Sequence, residues 1–200
     1  MSLNSPRLYL ASQSPRRAEL LAQIGVDFER LSVDTDETVL AGEAPETYVQ
    51  RVANTKAQAG LALVQQQGLN PLPVLGADTA VIIAGQIMGK PRDRDHALDM
   101  LRQLSGKTHQ VISAICLCGQ QYQHVALNIT EVSFREIAAA ELEQYWHSGE
   151  PLGKAGAYAI QGLGAVFVEK IYGSYSAVVG LPLLETQQLL QKIEQMASNE

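Results

Sequence analysis

Apolar and polar positions along this chain switch between two periods, and the switches divide it into short strands and amphipathic helices. The first apolar run, Leu8-Tyr9-Leu10-Ala11, reads as a buried strand that leads straight into Ser12-Gln13-Ser14-Pro15-Arg16-Arg17. A helix follows: Ser14 suits the N-cap, Pro15 the first helical position, Leu20, Leu21 and Ile24 an apolar face, and Gly25 the stop. Phe28 to Val33 predicts a strand that ends in the acidic stretch Asp34-Thr35-Asp36-Glu37. Tyr48, Val49, Val52, Ala53, Ala57 and Leu61 recur at helical spacing and predict a helix from about Pro45 to Gln66.

Farther along, the runs Leu72 to Ala77 and Ala80 to Ala84 flank Asp78-Thr79, and Ala84-Gly85-Gln86 reads as a turn back into Ile87-Met88. Asp93 can cap a helix through Leu98, Leu101 and Leu104, which Gly106 terminates. Thr108 to Cys118 and His124 to Phe134 are long strand-like runs whose closeness predicts antiparallel neighbours. A helix from Ala138 to His147 precedes the glycine-rich segment Gly153 to Gly162, where aromatic and apolar residues interrupt the glycines and point to function rather than a linker. Ala165 to Ile171 predicts a strand, and Pro182 to about Met196 a last helix. No repeat, low-complexity tract or linker breaks this order. It predicts one mixed α/β domain over 1–200, with 1–7 as a flexible N-terminus.

Two hundred residues can bury a substantial core without disulfides, and Cys116 and Cys118, one residue apart in an apolar run, read as buried thiols in a reducing compartment. Met1 to Arg7 lacks the apolar stretch of a signal peptide, and no segment approaches the roughly 18 to 20 apolar residues of a membrane span, so a cytoplasmic location is expected. A net charge of -6 argues against nucleic acid as the partner, since such binders neutralise several phosphates with a basic face. A small anion is still allowed.

The segment Ser12 to Arg17 fits one, because a strand that ends in hydroxyls and opens a helix offers free backbone N–H groups, and Arg16 and Arg17 add forked donors suited to phosphate. An ordinary capped helix with two exposed arginines explains the same residues equally well. Asp78, set between two apolar runs, is costly there unless it meets a cation, accepts hydrogen bonds or serves as a base; a turn aspartate is the alternative. Lys90 and Arg92 near the same sheet end could hold a triphosphate, while Asp78 or Glu37 supports a divalent metal or activates water. For Lys56 the helical spacing favours a solvated lysine. The histidines at 96, 109, 124 and 147 have no paired spacing for a metal, and Tyr145 and Trp146 read as packing residues. Neither a Gly-x-x-x-x-Gly-Lys-Ser/Thr loop nor a dinucleotide fingerprint is present.

Taken together, Leu10 to Arg17, Gly76-Ala77-Asp78-Thr79, Lys90-Pro91-Arg92, Lys154-Ala155-Gly156-Ala157-Tyr158 and Gly173-Ser174-Tyr175 resemble the Maf-type nucleoside triphosphate pyrophosphatases, in order and over nearly the whole chain. The resemblance implies a mixed, strongly curved central sheet with flanking helices and a cleft between two lobes, similar to the inosine triphosphate pyrophosphatase architecture. It implies hydrolysis of a nucleoside triphosphate to the monophosphate and pyrophosphate with Mg²⁺ or Mn²⁺, in a housecleaning role, and Asp78 as proton acceptor. Arg16, Thr79 and Gln161 match positions tied to substrate choice; Ser12, Ser14, Arg17, Lys56 and Lys90 match phosphate or substrate contacts, and Glu37 with Asp78 the metal carboxylates. The segment Ala157 to Gly162 is similar to the branch that acts on dTTP and UTP, although family members often carry glycine where Ala159 stands and an acidic residue near Gly153. A nucleotide-binding regulator of cell division, a receptor for a phosphorylated partner and a homodimer stay open on these residues.

Overall fold

Strand β1 (Leu8–Ala11) is buried at all four positions because it lies inside a sheet, not at its edge. It pairs in parallel with β2 (Phe28–Leu31) on one side and β3 (Val74–Ile83) on the other. Antiparallel pairings then join β3 to β5 (Thr108–Cys118), β5 to β6 (Gln123–Phe134) and β6 to β7 (Val168–Tyr172), while β4 (Gln86–Met88) folds back on β3. The computed structural model describes residues 8–198, so the expected flexible tail 1–7 lies outside the described residues. Among the described residues the strands form a mixed seven-stranded sheet in the order β2-β1-β3-β5-β6-β7.

Alternation along β5 divides the core. Ile112, Ala114, Cys116 and Cys118 meet Val49, Val52, Ala53 and Ala57 of helix α2 (Pro45–Gln66). On the opposite face Ile115 and Leu117 join Leu20 and Leu21 of α1 (Pro15–Gln23) and Leu189, Leu190 and Ile193 of α6 (Leu183–Ser198). A third cluster gathers α3 (Arg94–Leu104), α4 (Ala139–His147), Phe134 and Phe167 around Val111 and Val132. The two cysteines are free and buried, as their apolar run predicts.

One contact fixes how close α2 lies to the sheet. A Cβ at Gly76 would collide with the Ala53 carbonyl and come within 2.6 Å of the Ala57 nitrogen, so only glycine lets the helix rest directly on β3 there. Asp78 follows two residues later on the same face of β3.

Three stretches differ from the sequence expectation. Asp78 and Thr79, expected to separate two apolar runs, lie inside one continuous ten-residue strand, because pairing with β5 runs unbroken through both. The segment expected as a strand from Ala165 starts instead as a 3-10 turn, Leu163–Phe167. The Leu163 and Gly164 N–H groups donate to Glu150 at 2.8 and 2.9 Å and are thereby withheld from a strand partner. A short helix α5 (Tyr175–Val179), capped by Ser174 through Ala177 N–H, was not foreseen in the glycine-flanked stretch. No helix among the described residues is long and apolar enough to cross a membrane.

Candidate active site

Strand β1 stops opposite Gly76, and β4 begins to pair with β3 only at Val81. On that edge Ala77–Ala80 meet no strand among the described residues, while β5 still pairs Asp78 with Ala114 and Thr79 with Ser113 on the other. The gap opens a cavity of about 700 Å³ bounded by the β1–α1 junction on one side and residues 153–161 on the other. Ser12, Ser14, Arg16, Arg17, Glu37, Lys56, Asp78, Thr79, Lys90 and Gln161 all line it. These ten residues expected from the sequence are therefore brought together. Arg92 is not: it is exposed outside the cavity, and its N–H donates to His96 Nδ1 at 3.2 Å.

Period-two alternation sends Asp78 and Thr79 to opposite faces of β3, yet both reach a cavity that sits on the strand edge. On the α2 face the Lys56 ammonium donates to Asp78 Oδ1 at 2.9 Å and pairs with Glu37 Oε1 at 2.6 Å. Lys56 is buried, which overturns the solvated reading. Gly76 draws α2 so near the sheet that a side chain at this position points inward to the carboxylates. Burial pushes the Glu37 carboxyl up, but Lys56, Lys90 and Arg17 outweigh it and leave the group below its ordinary value. Lys90 stands at the rim, 3.7 Å from Glu37 Oε2.

On the other face Arg17 ties three elements together. Its Nε donates to the Gly180 carbonyl at 2.8 Å, Nη1 to Ser12 Oγ at 3.3 Å and Nη2 to Thr79 Oγ1 at 3.4 Å. Ser113 Oγ gives its proton to the Ala177 carbonyl at 2.7 Å, so it accepts from Thr79 Oγ1 at 2.8 Å and completes a one-way chain of donors that starts at Arg17. Burial lowers the Arg17 guanidinium, against the pull of Asp78 and Glu37.

Ser14 occupies the N-cap of α1 but its side chain makes no capping bond; instead its N–H donates to Ser12 Oγ at 3.2 Å. The first turn of α1 thus presents amides to the cavity that no side-chain cap competes for, the arrangement that receives an anion. Five basic side chains, Arg16, Arg17, Lys56, Lys90 and Lys154, line the cavity against Asp34, Glu37 and Asp78, so the site is locally positive in a chain of net charge -6.

Sequence comparison agrees with this geometry. The family described as "Maf-like protein" matches residues 7–193. The chain belongs to the Maf family. Among curated relatives of this Maf chain, a dTTP/UTP pyrophosphatase of Saccharophagus degradans is 54% identical over 96% of this chain and 90% of its own. One of the same name from Pseudoalteromonas atlantica is 54% identical over 93% and 96%. The solved structure of the Staphylococcus aureus Ham1 protein aligns at 15% identity with a TM-score of 0.45, covering 64% of this chain and 71% of that one.

Two contributors to the Maf cleft escape a reading of the residues one at a time. Tyr48, placed by its spacing on the apolar face of α2, lines the cavity and donates its hydroxyl to the Glu37 carbonyl at 3.1 Å. Burial, with Asp78 and Glu37 nearby, pushes that hydroxyl up to about 12. Lys154 lines the opposite wall, where burial and the charge of Arg16 lower its ammonium; its place in the Lys154-Ala155-Gly156 motif was the available signal. Tyr145 is also more than packing, since its hydroxyl bonds Glu150 at 2.7 Å and accepts from Ala159 N–H at 3.1 Å.

The donor chemistry suits a divalent ion that arrives with its substrate. Glu37 and Asp78 offer hard oxygens, but Lys56 already neutralises one oxygen of each. Among the described residues no cluster of three or more His, Cys, Asp or Glu could cage a metal alone. Mg²⁺ commonly binds through one or two carboxylates, retained waters and substrate phosphates, and two carboxylates beside an anion site meet that need.

Proposed function

We propose that this Maf protein is a nucleoside triphosphate pyrophosphatase that hydrolyses dTTP and UTP to the nucleoside monophosphate and pyrophosphate. The observation that carries the reading is Asp78 held by Lys56 in the gap of β3, across from the uncapped first turn of α1 and the anchored Arg17. Close relatives that bear the name dTTP/UTP pyrophosphatase set the substrate class.

In this mechanism the triphosphate lies in the cavity with its phosphates toward the α1 amides, Arg16, Arg17 and Lys90, and its base toward Gln161. Asp78, with Oδ1 committed to Lys56, uses its other oxygen to orient a water toward the α-phosphorus and to accept its proton. Cleavage of the α–β anhydride leaves charge on pyrophosphate, which the basic side chains stabilise. Asp78 and Glu37 are the residues assigned to Mg²⁺ or Mn²⁺, which supplies charge neutralisation along the phosphates when bound. Modified pyrimidine triphosphates fit the same chemistry, as a housecleaning role requires.

Hydrolysis of dTTP in ¹⁸O-water tests the reading: dTMP and pyrophosphate should form, with the label in dTMP. Release of orthophosphate and dTDP would refute it, and binding without turnover would favour the regulator.

A further inference from the structure

Behind the cleft wall, a carboxylate that lines no part of the cavity holds the loop that does. Glu150 Oε1 accepts from the Tyr145 hydroxyl at 2.7 Å and from Gly164 N–H at 2.9 Å, and Oε2 accepts from Leu163 N–H at 2.8 Å. The Tyr145 oxygen in turn accepts from Ala159 N–H at 3.1 Å. The backbone is therefore tied on both sides of Gln161, two residues before it and two and three residues after.

Two glycines make the approach possible. A Cβ at Gly162 would collide with the Glu150 carboxylate, and one at Gly164 would stand 2.7 Å from the Tyr145 hydroxyl. Tyr145 is itself fixed edge-on against Phe167, with ring centroids 5.0 Å apart. Burial pushes the Glu150 carboxyl up, but donors from Gly164, Tyr145 and Leu163 and the charge of Lys154 outweigh it, so the group sits below its usual value. Gln161, by contrast, is exposed at the cavity wall and owes its place to this backbone.

We infer that Glu150 and Tyr145 act as positioning residues for base selection, by clamping the backbone that presents Gln161 to the substrate. The inference rests on the reading above that Gln161 faces the base. A glutamine at 150 turns one acceptor into a donor facing the Leu163 or Gly164 N–H, and phenylalanine at 145 leaves Ala159 N–H without its acceptor, so both changes loosen the loop while Arg16, Arg17, Lys90 and the α1 amides keep their own contacts.

The test compares kcat/KM for dTTP and for dATP, which share the sugar and triphosphate, in the native chain, Glu150→Gln, Tyr145→Phe, Gln161→Ala and the Glu150→Gln/Gln161→Ala double variant. The clamp predicts that each single variant lowers the dTTP-to-dATP ratio about tenfold, mainly through KM for dTTP. The double variant should lose little beyond Gln161→Ala alone. Should Glu150→Gln fail to fold, Tyr145→Phe, which keeps the ring against Phe167, carries the comparison. If Gln161→Ala lowers the ratio while the clamp variants keep it, or lose dTTP and dATP turnover equally, the clamp is overturned. If Gln161→Ala itself leaves the ratio unchanged, the placement of Gln161 at the base is overturned, and the clamp's role in selection with it.

Discussion

Replacing Lys56 by methionine keeps most of the side-chain volume and removes the ammonium that Asp78 and Glu37 share. Breaking a buried ion pair from one side costs about 3–5 kcal/mol, and because the Glu37 side chain is 37% exposed and partly solvated, about 2–4 kcal/mol is expected here at neutral pH. The pH dependence carries a sign. In the native protein Glu37 lies below its ordinary 4.5, so its contribution is present above that value and is lost as pH falls through the lower folded value. Without Lys56, burial of Glu37 is opposed only by Lys90 and Arg17, and its carboxyl rises. The folded variant then takes up this proton at a higher pH than the native fold does, so the native-to-variant gap narrows as pH falls toward the carboxylate range. Urea unfolding from pH 4 to 8 measures the gap, and pyrophosphate release should fall on the order of 10²-fold at pH 7 because Asp78 loses its anchor. Equal stability of the two proteins at pH 7, or a gap that widens on acidification, would refute the reasoning.

Gly76→Ala should push α2 away from β3, lowering stability by about 1–3 kcal/mol and weakening turnover as Lys56 leaves Asp78; thermal melts and kcat check both. Arg17→Lys cannot span Gly180, Ser12 and Thr79 at once, so KM for dTTP should rise about tenfold, with a loss of about 1–3 kcal/mol in denaturant unfolding. Burial pushes the His109 imidazole down to about 4 from the ordinary 6.5. The unfolded chain therefore binds this proton first on acidification, and His109 should withdraw up to about 3 kcal/mol of stability as pH falls from 6.5 to 4. In His109→Gln the pH slope over that window should flatten.

Where periodicity was strong, the chain announced its structure: β5 and β6, α2 and α3 stand within a residue or so of the spacing read from their apolar positions. The pattern also gave the antiparallel pairing of β5 with β6, whereas the mixed sheet as a whole was implied by the family resemblance. Local pattern misled where tertiary partners decide. Asp78 looked like a break in an apolar run, yet β3 continues through it because Lys56 supplies the counter-charge that an isolated strand lacks. Lys56 looked solvated because nothing within its own helix records that Gly76, twenty residues on, lets that helix rest on the sheet. The segment from Ala165 carried a strand's composition, but Glu150 claims the amides just before it. Most of the cavity lining was legible only through the assembled motifs, while Tyr48, which belongs to none of them, was missed and Arg92, which belongs to one, lies outside the cavity.

The central claim is that Asp78 activates the water that splits the triphosphate, and the direct measurement is pyrophosphate release from dTTP with Mg²⁺ by the native chain and Asp78→Asn. The account predicts a fall of about 10²- to 10⁴-fold in kcat, in a variant that still unfolds cooperatively. Near-native turnover by Asp78→Asn would contradict it.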